Sequence, residues 1–486
     1  MIRKFRVLLC FGLILAVPGC AVGPDYKRPG MPVPDAFKQA GLWKTAAPKD
    51  NVPRGRWWEI YRDPVLNELV EQVEISNQSV LMAEAQYRQA LAALDAASAS
   101  FFPSLNTSLS RTRTRGVSSA PSSSVSGSTV MPGDPIRKIN RLSLGMNWEI
   151  DIWGRIRRNV EANEAAAEAG ATDLEAALLS ARATLVQSYL QLRANEAQRL
   201  LLDETAAAYE RSLTIARNRY DAGVAGRIDV AQAETQLKTT RAQAIDLEIQ
   251  RAQLEHAIAL LLGKAPAEFS LPVTGRLPGL PSIPAGLPSD LLERRPDIAA
   301  AERRVAAANA QIGVAQAAFF PALTLTSNSG YQASSSLSEL VRLPNRFWSI
   351  GPALALPLFD AGVRSAQKDQ TVASYDRSVA AYRQTVLTAF REVEDSLAAL
   401  RILDEEEEVQ REAARFAAES LDLTHNQYQS GIVSYLNVVV AQTTSLGAER
   451  TRIDLMGRKL LASLALLKSL GGLWTEPSAQ DDGSKK

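Results

Sequence analysis

Two stretches of the chain alternate strictly between apolar and polar positions. Leu142, Leu144, Met146, Trp148 and Ile150 share one face, against Ser143, Gly145, Asn147, Glu149 and Asp151 on the other. Trp348, Ile350, Leu354, Leu356 and Leu358 alternate in the same way with Ser349, Gly351, Ala353 and Ala355. Period two is the signature of a strand with two different environments, and ~9–11 residues suffice to cross a bilayer obliquely. Weaker partner strands precede them, at Leu105, Thr107 and Leu109 and at Leu323 and Leu325. A soluble hairpin would carry the same alternation, so the pattern alone leaves both environments open. Helical periodicity dominates the rest. From Gly154 to about Tyr220 no proline interrupts the chain, a length of roughly 100 Å at the α-helical rise. Leu174, Leu178, Ala181, Leu185, Tyr189 and Leu192 step by fours and threes, and Val386, Val393, Leu397 and Leu400 keep that register later. Leu237, Thr240, Ala244, Leu247, Leu254, Ile258 and Leu261 hold a near-heptad spacing, which predicts coiled-coil packing. The shorter helices, Asn77 to Phe102 and Val230 to Leu262, could stack end to end beside one long helix.

The chain is written twice. Ala83-Glu84 and Phe101-Phe102-Pro103 recur as Ala301-Glu302 and Phe319-Phe320-Pro321. Gly154, Asn218, Tyr220, Gly223, Val230 and Leu262-Gly263 recur, at a slightly smaller offset, as Gly362, Asn426, Tyr428, Gly431, Val438 and Leu470-Gly471. The offset changes between Pro103 and Gly154, where the Gly/Ser/Pro-rich stretch from Gly116 to Pro135 lengthens the first copy. The predicted division is a leader at 1–19, an N-terminal equatorial segment at 20–76 and a first repeat at 77–270 with its hairpin at 103–152. A linker at 271–296, a second repeat at 297–472 with its hairpin at 321–359, and a tail at 473–486 complete it.

The leader sets the compartment. Arg3, Lys4 and Arg6 precede an apolar run from Val7 to Val17, and Pro18-Gly19-Cys20 follows. A basic region, a short apolar run and a small residue before Cys resemble a bacterial lipoprotein signal, cut after Gly19. Ala21 behind the cysteine, in place of Asp, resembles lipoproteins sent to the outer membrane. Cleavage would remove Cys10, leaving Cys20 alone and no intramolecular disulfide. No later run approaches the ~18 apolar residues of a membrane helix. Lys and Arg number 54 against 53 Asp and Glu in 486 residues, so there is no basic field for nucleic acid. Two Cys and two His support neither a disulfide framework nor a zinc site.

Four strands cannot close a barrel, and open sheet edges are not tolerated in lipid. The chain is therefore predicted to share a barrel with copies of itself. Three copies give twelve strands, though four copies would also close. If the strands enter lipid, the expected fold class is an α+β membrane protein, with four transmembrane β-strands and long periplasmic coiled-coil helices, and its function would be passage.

Five motifs give the chain a family resemblance. They are Cys20-Ala-Val-Gly-Pro-Asp-Tyr-Lys-Arg-Pro29, Leu291 to Ile298, Ala318-Phe-Phe-Pro321, Phe359-Asp360-Ala-Gly362 and Gly471-Gly472-Leu473-Trp474. Over nearly its whole mature length the chain resembles the TolC-like outer membrane factor family, in its OprM/NodT-type lipoprotein branch. The resemblance implies a homotrimer with a twelve-stranded β-barrel continuous with an α-helical barrel. It implies a periplasmic adaptor (membrane fusion protein) and an inner-membrane pump, usually of the RND class, as partners, and no nucleic acid. It implies no catalytic centre, no metal and no cofactor beyond a diacylglycerol and an N-acyl chain on Cys20. A duct for type I polypeptide secretion and a lipid-anchored coiled-coil protein without a pore are the alternatives.

Arg219-Tyr220-Asp221-Ala222-Gly223 and Gln427-Tyr428-Gln429-Ser430-Gly431 resemble the family's periplasmic tip turns, although a glycine helix cap is also a purely structural device. The resemblance implies that Gly223, Val224, Gly431 and Ile432 meet the adaptor. It implies a periplasmic gate at Asp229, Leu436 and Asn437. Here the chain departs from its relatives, since Asn437 and Val440 stand where acids are common, and the gate is expected to rest on Leu436 packing with Asp229 as the nearby acid. The acidic run Asp404 to Glu408 reads as a solvated face or, alternatively, as a lumen lining that favours cations. His256 and His425 read as ordinary helix residues. Phe101, Phe102, Trp148, Trp153, Phe347 and Trp348 form either aromatic girdles at the barrel rims or helix-to-strand packing. No phosphate-cradling Gly-Lys-Ser/Thr loop, His-Glu-x-x-His motif or nucleophile elbow is present.

Overall fold

The computed structural model describes residues 21–30, 36–37, 40–42, 55–115, 136–281, 295–334 and 336–472. The leader, Cys20, the Gly/Ser/Pro-rich stretch, the first half of the linker motif from Leu291 (291–294) and the tail lie outside the described residues. Two short strands, β1 (Ala36–Phe37) and β2 (Ala40–Leu42), pair with one another. Seven α-helices follow among the described residues: α1 (Pro64–Ser76), α2 (Gln78–Ala99), α3 (Arg155–Asp221), α4 (Arg227–Leu261), α5 (Pro296–Ala317), α6 (Val363–Gln429) and α7 (Tyr435–Ser469). Four long strands lie between them: β3 (Ser104–Arg115), β4 (Ile136–Ile150), β5 (Ala322–Ala333) and β6 (Arg346–Ala355). α3 and α6 have 67 residues each, α4 and α7 have 35 each, and α2 and α5 have 22 each. The duplicated text thus folds into duplicated elements. No described helix is long and apolar enough to cross a membrane.

Two compact units form, and each draws chain from both copies of the repeat. The first comprises 1–29, 89–167 and 303–379; the second comprises 30–88, 168–302 and 380–486. In the first, the four long strands make an antiparallel sheet in the order β3-β4-β5-β6. Its register sorts the side chains, because directly paired residues project to the same face. Leu105, Thr107 and Leu109 pair with Met146, Leu144 and Leu142; Trp148 and Ile150 pair with Leu325 and Leu323, which pair in turn with Pro352 and Leu354. The opposite face carries Ser104, Asn106, Ser108, Ser143, Gly145, Asn147, Thr324, Thr326, Asn328, Ser349 and Gly351. Leu105, Leu109, Leu144, Trp348, Ile350 and Leu354 are all more than half exposed, so the apolar face has no cover among the described residues.

Aromatic residues stitch this sheet to its helices. The Trp148 indole donates to the Phe101 carbonyl at 2.9 Å, and the Trp153 indole to that of Pro321 at 2.9 Å. Trp153 also stacks on Phe320 with ring centroids 4.7 Å apart. These three aromatics and Phe101 therefore serve the helix-to-strand joint. Each long helix starts on an aspartate that caps its orphan amides: Asp151 accepts from the Ile156 and Arg157 amides, and Asp360 from those of Gly362 and Arg364. Residues 22–25 lie across this joint. The Val22 amide donates to the Trp153 carbonyl, Arg158 reaches the Gly23 carbonyl and Asp25, and Asn309 donates to the Pro24 carbonyl.

The second unit is helical. Its main core joins Trp57, Trp58 and Tyr61 to Leu66, Val70 and Val73 of α1, Leu185, Tyr189 and Leu192 of α3, Ile258 of α4, and Leu460, Leu464 and Leu467 of α7. Short helices stack end to end, as the sequence suggested. Where α4 ends, Gly263 adopts a φ of 65°, and a Cβ there would come within 2.3 Å of the Ser76 carbonyl oxygen. Ser76 and Asn77 meanwhile donate to the Leu262 and Leu261 carbonyls at 2.7 Å each, and the Asn77 side chain also caps α2. In the second copy, Arg295 performs the equivalent join. It donates to the Ser469 carbonyl at the end of α7 and pairs with Asp297 of α5 and Glu392 of α6.

Candidate functional site

The two helical tips are built alike. At the end of α3 the Val224 amide bonds to the Arg219 carbonyl at 2.9 Å and the Gly223 amide to the Tyr220 carbonyl at 2.9 Å. At the end of α6 Ile432 bonds to Gln427 at 2.9 Å and Gly431 to Tyr428 at 3.0 Å in the same pattern. Both glycines sit near φ 75°, the left-handed conformation that closes a helix with a Schellman motif. The turn leaves an apolar residue projecting just past each glycine: Val224 is 65% and Ile432 73% exposed. A cap alone does not require an exposed β-branched residue at the apex.

The tips are joined through a shared core. Tyr209, Leu213 and Ala216 of α3, Val230, Ala233 and Leu237 of α4, Tyr428 of α6 and Tyr435 and Val438 of α7 are buried together. Arg219 crosses between the copies. Its guanidinium donates to the Gln429 carbonyl at 3.0 Å and lies over the Tyr428 ring at 4.9 Å. Tyr428 meets Tyr435 edge-on at 5.2 Å. The hydroxyls of Tyr209 and Tyr428 are buried without a hydrogen-bond partner among the described residues. Burial, and then the negative charge of Asp229, raises the Tyr428 pKa above that of an ordinary phenol. Asp229 therefore belongs electrostatically to this tyrosine cluster.

Leu436 and Asn437 are brought together elsewhere on the tip. With Val440 they lie exposed in the first turns of α7. Asn437 and Val440 also line a groove of about 250 Å³ with Ala417, Ser420 and Thr424 of α6 and Ala441 and Thr444 of α7. Asn437 and Val440 thus face a groove walled by small residues. The acidic run on α6 is paired throughout: Lys459 of α7 contacts both Asp404 and Glu407, Arg458 reaches Glu406, and Arg401 and Arg411 hold Glu405 and Glu408. These ion pairs hold α6 to α7 and to its own helix turns. His425 contacts only Gln429 of its own helix among the described residues, and no described cluster could hold a metal ion.

Two features escaped the sequence reading. Ile402, Val409, Phe416 and Leu423 recur every seven residues along α6, all at least half exposed. A heptad stripe is a seam for another helix, and none of the described residues covers it. The spacing was legible, but its lack of a partner needed the structure. The second is a buried ion network on α3 and α4. Arg193 and Glu196, each 1% exposed, pair at 2.8 Å, and Arg251 reaches Glu196 at 3.3 Å. Glu196 also accepts from the Thr274 and Gly275 amides, while Arg193 and Arg251 donate to the Pro272 and Leu271 carbonyls. The network straps residues 271–275 to the helices.

Comparison with known proteins places this architecture. The chain matches the outer membrane efflux protein family over residues 69–264 and 287–472. It is 33% identical to the toluene efflux pump outer membrane protein TtgF of Pseudomonas putida, over 97% of this chain and 98% of the relative. It is 32% identical to the cation efflux system protein CusC of Escherichia coli, over 96% and 99%. The solved outer-membrane channel OprN superposes with a TM-score of 0.82 at 30% identity, over 93% of this chain and 99% of that one. The chain therefore belongs to the outer membrane efflux protein family, whose members are the outer-membrane channels of tripartite efflux systems.

Proposed function

We propose that three copies of this chain close one twelve-stranded β-barrel in the outer membrane, continuing into a helical barrel in the periplasm. The carrying observation is the sheet whose apolar face is uncovered, and whose edge strands β3 and β6 are unpaired, among the described residues. Lipid tolerates the face and not the edges, so β6 of one protomer pairs with β3 of the next. The exposed α6 stripe from Ile402 to Leu423 is the corresponding helical seam between subunits. Cysteines placed along β3 and β6 should yield disulfide-linked trimers in outer membranes, and a monomer or tetramer ladder would overturn the stoichiometry.

Cys20 carries the diacylglycerol and N-acyl chain. The fastening of Val22 to Asp25 at the sheet-to-helix joint supports an anchor held there. The repeats span 77–270 and 297–472, with hairpins at 103–152 and 321–359 and the linker 271–296 between them. At the tips Gly223, Val224, Gly431 and Ile432 present an apolar contact to a periplasmic adaptor, which couples the duct to an inner-membrane pump of the RND class. Transport energy comes from that pump, and the chain needs no catalytic centre or cofactor. One relative is named for toluene and another for cations, so the shared duct does not dictate cargo.

The resting gate lies at Leu436 and Asn437, with Asp229 behind it fixing the tyrosine cluster. A strain lacking the gene should become hypersensitive to dyes, bile salts and macrolides. The wild-type gene should restore resistance, while Leu436→Ala should restore efflux and also admit vancomycin through the idle duct. Unchanged vancomycin susceptibility would remove Leu436 from the gate. Normal dye susceptibility with a missing secreted polypeptide would make the chain a protein-export duct instead.

A further inference from the structure

The apolar face of the sheet ends abruptly. Leu109, Leu142 and Tyr331 form its last cross-strand layer, with Arg346 of β6 beside Tyr331. The next layer on the same face is Arg111 paired with Asn140, and the one after is Arg113 paired with Lys138. All three cations are exposed, and no described acid forms an ion pair with any of them. Glu339, on the connection between β5 and β6, is engaged by Arg342.

This placement is costly for the free protein. Directly opposed residues in an antiparallel pair have Cβ atoms about 5 Å apart, and like charges there destabilise the ladder. Arg111 stands two residues along the same strand, ~7 Å from Arg113. The opposite face at these layers carries Ser110, Thr112 and Ile139. Arg141, also on that face, lies over the Phe347 ring at 4.6 Å. At these layers the cations without an ion pair among the described residues thus lie on the face that carries the apolar band, one step beyond the band's edge.

We infer that Arg111, Arg113 and Lys138 form a binding site for the phosphate groups of a phosphorylated glycolipid in the outer leaflet. The inference rests on the reading above, in which the apolar face meets lipid. The helices leave the sheet at the Ser104 and Ile150 ends of β3 and β4, so the basic end of this hairpin is the end away from the periplasm. Headgroups lie just outside the hydrocarbon, where these side chains emerge. Two guanidinium forks and one ammonium can hold a phosphate by several charge-assisted hydrogen bonds. A dianion placed among them turns mutual repulsion into a clamp across β3 and β4, the strand pair beside a subunit edge.

The test uses the full-length purified protein in detergent, stripped of lipid, with diphosphoryl lipid A and phosphate-free lipid A as probes. Native mass spectrometry should show diphosphoryl lipid A retained about tenfold or more over the phosphate-free form. Arg113→Ser and Lys138→Ser should each weaken that retention about tenfold. Stability should move in the opposite sense. Lys138→Glu, which gives Arg113 an opposite charge, should raise the unfolding temperature without lipid A and lose the gain that lipid A confers on the wild type. Equal retention of the two lipids, or retention unchanged in these variants, would overturn the site. Insertion into phosphatidylcholine bilayers, read as conductance, checks the membrane reading separately. A protein that conducts there without preferring phosphate refutes only this inference, and one that never inserts refutes the reading beneath it.

Discussion

Glu196→Ala should cost about 3–5 kcal/mol, because it leaves Arg193 buried without its carboxylate. Arg193 shows how finely the site is poised. Burial alone would push its guanidinium toward neutrality, and Tyr189 and Glu196 beside it more than offset that, leaving its pKa raised. The same substitution removes the acceptor for the Thr274 and Gly275 amides. Loss of the strap should therefore be local before it is global. Trypsin reads this directly, since Arg276 follows the strapped residues. Cleavage after Arg276 tracks the population of the opened strap when opening is fast, and the penalty corresponds to an acceleration of about a hundredfold or more. Glu196→Gln keeps the shape and one acceptor and should fall between. If Glu196→Ala leaves cleavage after Arg276 unchanged, the network does not hold the strap.

That network was hidden in the sequence for a physical reason. Arg193 and Glu196 stand three apart on a helix, the spacing of a common surface ion pair, and nothing in the text says that the linker folds over them. Other elements were legible because their constraint is local. Period two in Leu142 to Ile150 marks a strand wherever it lands, and Gly223 and Gly431 mark helix ends because few other residues adopt a positive φ cheaply. Repetition made the elements readable twice. The cross-strand register was not readable. The stretch between β3 and β4 is 20 residues, too long to fix pairing as a tight turn does. The confrontation of Arg113 with Lys138 therefore appears only once the sheet is built. The α6 heptad is an intermediate case, in which the seam could be read and its missing partner could not. The aromatic residues were ambiguous between barrel rim and helix joint because both demand an amphipathic ring. The indole hydrogen bonds of Trp148 and Trp153 tie those two to the joint, while Trp348 stays exposed on the apolar face.

Adjacent residues on β6 offer a second large contrast. Ile350 lies in the middle of the apolar face, in the layer of Ser327, Met146 and Leu105, while Ser349 points to the polar face with Asn328. If the apolar face meets hydrocarbon, Ile350→Arg places a guanidinium near the bilayer centre and should cost about 2–4 kcal/mol. Ser349→Arg carries the same charge one residue earlier into water and should cost almost nothing. The first should appear as a loss of folded protein from outer membranes and of heat-resistant oligomer on gels. The second should leave both intact and shift single-channel selectivity toward anions, because every subunit adds a positive charge to the lumen. A soluble hairpin would make no such distinction. Both faces would meet water, Ile350→Arg would be tolerated about as well as Ser349→Arg, and neither would alter a conductance. The sign and size of that difference therefore separate a duct from a tether using two substitutions that share a side chain and a strand.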